Sequence, residues 1–180
     1  MLKKIIELLE SMDYENRKRA AVIANSFIDP FKPYGSDLHS QYIRLNPSVS
    51  IETVAICRGV GSGRLEVFLV WRGEDAPAYK NAWNCPGTFM RPGESEEVGL
   101  DRLSVLEYGC PIRALEKVGW DNNPNEERGH CIHHIFLVEL LGKGTKGKWF
   151  PIDSLPPELV EHHRQVVIPM AVKTFEELGK

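Results

Sequence analysis

The residues best suited to chemistry lie between Cys85 and Pro111, in CPGTFMRPGESEEVGLDRLSVLEYGCP. Pro86-Gly87 turns the chain after an apolar segment that ends at Trp83, and Pro92-Gly93 turns it again. Glu94, Ser95, Glu96 and Glu97 follow, so negative charge gathers where a helix dipole favours it, with Ser95 as the N-cap. The spacing predicts a helix that runs to about Tyr108 and stops at Gly109, with Pro111 just beyond. A loop, helix and loop in this order can aim one helical face and several loop carbonyls at one point. That arrangement suits a hard cation and a phosphate. Glu107 sits near the end of this helix, where the dipole disfavours an acid and a neighbouring cation would offset the penalty.

The spacing resembles the Nudix hydrolase box, G-x5-E-x7-R-E-U-x-E-E-x-G-U with U apolar. Its first Glu falls on Glu94, its Arg on Arg102, its last Glu on Glu107 and its Gly on Gly109. Thr88, Leu103 and Leu106 stand where the box has its opening Gly and two helix acids. The GDP-mannose mannosyl hydrolase subgroup accounts for most of these departures. Its pattern, P-G-G-x5-E-x7-R-L-T-x-x-E-L-G, is similar to Pro86-Gly87-Thr88 followed by Arg102-Leu103-Ser104-Val105-Leu106-Glu107-Tyr108-Gly109. Pro77-Ala78 and Trp83 are the counterpart of an upstream Pro-Ala and Trp in that subgroup. The resemblance covers roughly residues 50 to 155.

The resemblance implies an α/β fold: a Nudix-type α/β/α sandwich with a mixed central sheet. It implies Mg2+, with Mn2+ as an alternative, held by Glu107 and the backbone carbonyl of Gly87. Glu94 and Arg102, with Gly109, would brace the loop. Arg72, at the end of a strand, and Arg91, between the two turns, would face the phosphates of a nucleotide. In the subgroup a Gln-His pair before the last strand supplies a metal ligand and the general base; here Lys143 and Gly144 occupy that loop. His133 and His134 are the candidate catalytic residues by chemistry; either of them, or a histidine of the last helix, would have to substitute for that base, or the inverting sugar chemistry is absent. The implied reaction is hydrolysis of a nucleoside diphosphate linked to another moiety, a nucleotide sugar above all, at carbon or at phosphorus.

Composition frames this reading. At 180 residues, 42% hydrophobic and 26% charged, the chain has the makings of a globular core. A net charge of −3 gives no electrostatic reason to expect nucleic acid as a partner. No stretch approaches the ~18 apolar residues of a membrane span. The four cysteines show no C-x-x-C pair and read as buried thiols of a cytoplasmic protein. A small-molecule nucleotide is the expected partner, and the family resemblance adds a homodimer.

Around the box, helices are expected at the N-terminus and again from Tyr14 to Phe27, ended by Asp29-Pro30. Residues 1–40 thus form a helical extension, and 41–180 the hydrolase-like domain. Residues 29–48 read as a Pro/Gly/Ser-containing connection with few apolar runs. Ile51–Cys57, Arg64–Trp71 and His130–Leu140 read as strands, while Arg113–Trp120 fits strand or helix. His130, His133 and His134 invite a zinc reading, but alternation separates His133 from His134 on opposite faces. Residues 142–147 read as a flexible basic loop, followed by a tryptophan-containing strand. The last helix spans about Pro157 to Leu178, kinked or split at Pro169, and carries His162 and His163 as surface residues. Loss of the box acids at Leu103 and Leu106 also fits a catalytically silent nucleotide-binding or regulatory protein.

Overall fold

β-Branched and apolar runs that alternate along the chain form seven strands in one mixed sheet. The structure is a computed structural model that describes residues 2–29 and 35–180. Contacts divide the chain into residues 1–35 and 36–180. The first unit holds α1 (Leu2–Ser11) and α2 (Tyr14–Asn25), the latter capped by the Asp13 side chain, which accepts from the Asn16 amide at 2.8 Å. No residue of α2 is buried. Pro30, assigned above to the end of this helix, lies outside the described residues.

Part of the stretch read as a connection is helical: α3 spans Gly35–Ile43. The strands are β1 (Ser48–Arg58), β2 (Leu65–Arg72), β3 (Ala82–Asn84), β4 (Gly87–Phe89), β5 (Ile112–Asn123), β6 (Cys131–Leu140) and β7 (Gly147–Pro151). The sheet order is β3-β2-β1-β6-β5, with β4 paired to β1 and β7 to β2. β1 and β6 run parallel; the other pairs are antiparallel. Residues 112–123 are therefore a strand: their polar exposed positions alternate against β6 across two register shifts.

Both sheet faces are covered, which is why the central runs Val54–Ile56, Val67–Val70 and Ile135–Val138 are apolar and buried on both faces. Val54, Ile56, Val67, Leu69, Ile135 and Leu137 pack on one side with Ile168, Ala171 and Phe175 of α5 (Ile168–Glu177). Ile51, Ala55, Phe68, Phe136 and Val138 pack on the other with Leu103 and Tyr108. Leu103 closes α4 (Glu96–Leu103), which begins at Ser95, whose hydroxyl accepts from the Val98 amide. The helix does not stay α to its end: Ser104–Tyr108 widen into a π turn, and Gly109 stops it in a left-handed conformation, φ 66°.

The expected long C-terminal helix is also broken. A π turn at His163–Val167 directly precedes α5, and Pro169 sits in the first turn of α5, so the irregularity lies next to the proline expected to kink or split the helix. Cys85 and Cys131 are buried and Cys57 and Cys110 half-buried, all free thiols. Among the described residues no helix is long and apolar enough to cross a membrane.

Candidate functional site

The site is assembled where β1, β4, β6 and the two π turns meet. Glu52 projects from β1 opposite Gly87 of β4. A Cβ at residue 87 would lie 2.6 Å from the Glu52 Oε1, so only glycine leaves that carboxylate its place. The turn before β4 is pinned from β1: the Thr53 amide and hydroxyl both donate to Pro86 O, at 2.9 and 2.7 Å. The same hydroxyl lies 2.9 Å from the Tyr108 hydroxyl, which ties the turn to the end of the π turn that carries Glu107. Thr88 is an ordinary strand residue, without the positive φ that would strain it.

Glu94 and Arg102 form a bidentate pair, Nε to Oε1 at 3.0 Å and Nη2 to Oε2 at 2.8 Å. Arg102 also donates to Phe89 O at 2.9 Å and to the Thr88 hydroxyl, and Glu94 accepts the Arg91 amide at 2.8 Å. Thr88 thus joins the brace that its departure from the box pattern put in question. Gly109 faces Thr145, whose amide donates to Tyr108 O at 3.0 Å, while Lys146 reaches Leu106 O at 2.8 Å. Within the 142–147 loop, whose other residues are exposed, Gly144 and Gly147 lie against the Phe68 ring where a side chain would collide.

These elements enclose a cleft of about 230 Å3. Glu52, Glu107, Arg72, Arg128, Gly87 and His133 line it, with Ser50 and His163 behind Glu52. Arg91 and His134 do not. Arg91 is exposed, and His134 lies on the opposite sheet face, where its Nδ1 is 2.6 Å from Glu96 Oε1. Alternation along β6 predicts that separation, and it leaves His133 as the histidine of the candidate pair that faces the cleft.

Glu52 is buried and surrounded by polar partners. The Ser50 hydroxyl donates to Glu52 Oε1 at 3.2 Å and, 2.7 Å from His133 Nδ1, accepts that ring's N–H. His133 Nδ1 is 3.5 Å from Glu52 Oε1, and His163 Nε2 is 3.7 Å from Oε2. Burial would raise Glu52, but the hydrogen bond from His133 and the flanking imidazoles hold it low. Burial opposes charge on His133, yet its contacts with Cys131 and Glu52 raise it to about 10. Burial pushes His163 down to about 4, so it is neutral; its Nδ1 accepts the Cys85 amide at 2.9 Å, and its Nε2–H faces Glu52. His163 is only 8% exposed, which corrects the surface placement expected for the last helix's histidines. His163 is the first residue of the π turn, and it and Val167 are that turn's buried residues.

Glu107 has no hydrogen-bonded or ion-paired partner among the described residues. Burial raises its pKa, Glu52 adds to the rise, and Arg72 and Lys146 oppose it. Arg72 is half-buried, anchored by its Nε to Ala78 O at 2.9 Å, and both burial and Arg128 lower its pKa. Arg128 stacks over Phe89, 4.4 Å from the ring centroid. Two cations, Arg72 and Arg128, the latter 3.7 Å from Glu126 Oε1, stand beside Glu52 and Glu107 and suit an anion that carries its own hard cation. Glu107 and the Gly87 carbonyl offer oxygen donors of the type such an ion takes, and the lone half-buried Glu107 carboxylate fits that use. Glu52 and Arg128 were not legible as site residues, and His163 only as one of two last-helix histidines that could replace a missing base; Glu52 was marked only by its interruption of the β-branched run at 51–57.

No family model matches the chain, and no curated protein matches it. Solved structures do. A mutT/nudix family protein from Listeria innocua superposes with a TM-score of 0.56 at 20% identity, over 75% of this chain and 99% of that one. An ADP-ribose pyrophosphatase from Streptococcus suis gives 0.55 at 16% identity, over 72% and 92%. The NUDIX domain of Shewanella oneidensis NrtR, complexed with ADP ribose, gives 0.53 at 18% identity, over 74% and 89%. The chain spans 50% of the length of a MutT/nudix family protein from Enterococcus faecalis, matched at 23% identity with a TM-score of 0.49. At such identities the shared property is the fold, and the mixed sheet between α4 and α5 is that of the Nudix hydrolases.

Proposed function

We propose that this Nudix-fold chain is a divalent-metal-dependent hydrolase of a nucleoside diphosphate linked to another moiety, with a nucleotide sugar as its substrate class. The observation that carries this reading is the convergence of Glu52, Glu107, Arg72 and Arg128 on one cleft. Arg72 and Arg128 bind the diphosphate oxygens, and Phe89 holds the Arg128 guanidinium flat for that contact. Glu107 and the Gly87 carbonyl hold Mg2+, or Mn2+, which when bound neutralises charge on the diphosphate. The Glu52–His133 pair handles the proton of the attacking water. Glu94, Arg102 and Gly109 keep the loop and helix in register. ADP ribose, the ligand of one structural neighbour, is itself a nucleoside diphosphate joined to a sugar and belongs in the substrate panel. The same resemblance extends the proposal to a cytoplasmic homodimer, which sedimentation equilibrium tests.

Turnover of a nucleotide-sugar panel with Mg2+, beside Glu107→Gln, tests the reading. Free sugar and nucleoside diphosphate, lost in the variant, identify attack at carbon, as the mannosyl hydrolase resemblance implies. Sugar phosphate and nucleoside monophosphate identify attack at phosphorus. Equal activity in the variant overturns the role of Glu107.

A second reading has its own support. Leu103 and Leu106 replace two box acids, and Leu103 is fully buried in the core. Together with the NrtR resemblance, this supports a silent nucleotide-binding regulator. Saturable binding of ADP ribose without turnover of any panel member would establish it over the enzyme.

A further inference from the structure

Behind the cleft, on the α5 face of the sheet, lies a second polar cluster, of which the hydrolase reading uses only His133. Asp121 of β5 stands directly opposite His133 of β6, so both side chains leave the same face. His162, just ahead of the π turn, meets them there, its ring centroid 5.1 Å from that of His133. Asp121 Oδ2, His133 Nε2 and His162 Nε2 are all buried atoms without a hydrogen-bond partner among the described residues. The other such atoms are Asn84 Oδ1 and Arg128 Nε, so three of five meet at one point. Buried polar atoms without a hydrogen bond are rare in folded chains; here three converge, two of them, His162 Nε2 and Asp121 Oδ2, in an ion-pair contact, and a shared ligand would satisfy all three.

We infer that Asp121, His133 and His162 form a binding site for a borderline divalent ion of the zinc class, separate from the hard-cation site at Glu107. The donor atoms all lie within 4.8 Å of one another. Bonds of about 2.0–2.2 Å in a tetrahedral site put donors roughly 3.4 Å apart, so small side-chain shifts close the set. His162 Nε2 and Asp121 Oδ2 are already 3.2 Å apart. Two imidazoles and a carboxylate are the ligand types zinc takes when it keeps a fourth position for water, whereas Mg2+ prefers oxygen.

The surroundings of His133 are those of a ligating histidine. Its Nδ1–H is held by Ser50 Oγ at 2.7 Å, and Ser50 in turn donates to Glu52. A carboxylate-backed hydrogen bond on one ring nitrogen directs the lone pair of the other at the ion. Binding displaces any proton at His133 Nε2. The site stands on its own donors and does not depend on the hydrolase reading; the two share only His133, which lines the cleft with its other edge.

The test uses the full chain, stripped with a chelator, and titrates Zn2+, Mn2+ and Mg2+ separately by calorimetry, with metal content measured after dialysis. One equivalent of Zn2+ is expected to bind. X-ray absorption at the zinc edge is expected to show two imidazoles and oxygen. Asp121→Asn and His162→Gln are each expected to weaken zinc by at least the roughly 10–100-fold seen when even an outer partner of a metal ligand is lost. Mg2+ binding is expected to be unchanged in both variants. Circular dichroism and thermal melting of the metal-free variants check that they fold, and if one fails the other carries the test. No zinc retention, or zinc affinity that neither substitution moves, would overturn the assignment.

Discussion

Gly87 and Glu52 face one another across the β1–β4 pairing, and a methyl group at residue 87 would fall 2.6 Å from the Glu52 Oε1. A glycine of the Pro-Gly turn is thus required by an acid 35 positions earlier in the chain (87 − 52), not only by the turn. The carboxylate cannot yield freely, because Ser50, His133 and His163 hold it on its other side.

Gly87→Ala is therefore expected to displace Glu52. A thermal or urea melt should show a loss of about 1–3 kcal/mol, the usual cost of overpacking. Steady-state kinetics on the same sample should show a larger relative loss of turnover. Unchanged kinetics would remove Glu52 from the site.

Replacing the cleft cations should act on binding. Arg72→Ala deletes one charge-assisted contact of about 1.5–3 kcal/mol, a roughly 10- to 100-fold loss in kcat/KM. Arg128→Ala should behave alike. Arg91→Ala, on the exposed turn, should leave kcat/KM within about twofold, as surface changes do. A large effect from Arg91 alone would return the phosphate site to that turn.

His133 and His134 should part company. His133→Gln breaks the contact with Ser50 and Glu52 and is expected to reduce turnover by about 100-fold. His134→Gln should cost only the partly buried contact with Glu96, about 1 kcal/mol, and spare turnover. The reverse pattern would place the chemistry on the α4 face.

The Glu94–Arg102 brace carries a pH signature. Burial would raise Glu94, but the bonds from Arg102 and the Arg91 amide outweigh it and lower its pKa in the folded chain. Its stabilisation is thus fully present above the unfolded carboxylate value of about 4.3 and is lost as pH falls through the lower folded value. Arg102→Ala leaves a carboxylate only 6% exposed without its partner, at an expected cost of about 3 kcal/mol at neutral pH. Urea melts should show that cost shrinking below about pH 4 as Glu94 is protonated. A cost that is constant across that range would reduce the pair to packing.

Much of this protein was settled by local rules. The apolar alternation that wrote β1, β2 and β6 works through neighbours two positions apart, and Ser95, Gly109 and the Glu94–Arg102 spacing mark the loop and helix from one short stretch. The order of His133 and His134 on opposite faces follows from the same period. What local rules could not reach was decided by tertiary structure. β5 has too few apolar residues to choose between strand and helix, and its pairing with β6 chose for it. The π turns at Ser104–Tyr108 and His163–Val167 leave no periodic mark in sequence, yet they carry Glu107 and His163. Glu52, His133, Asp121 and Arg128 come together only because parallel pairing of β1 with β6 joins segments far apart in the chain. A charge meets its partner across space, and no periodicity in the chain records that distance.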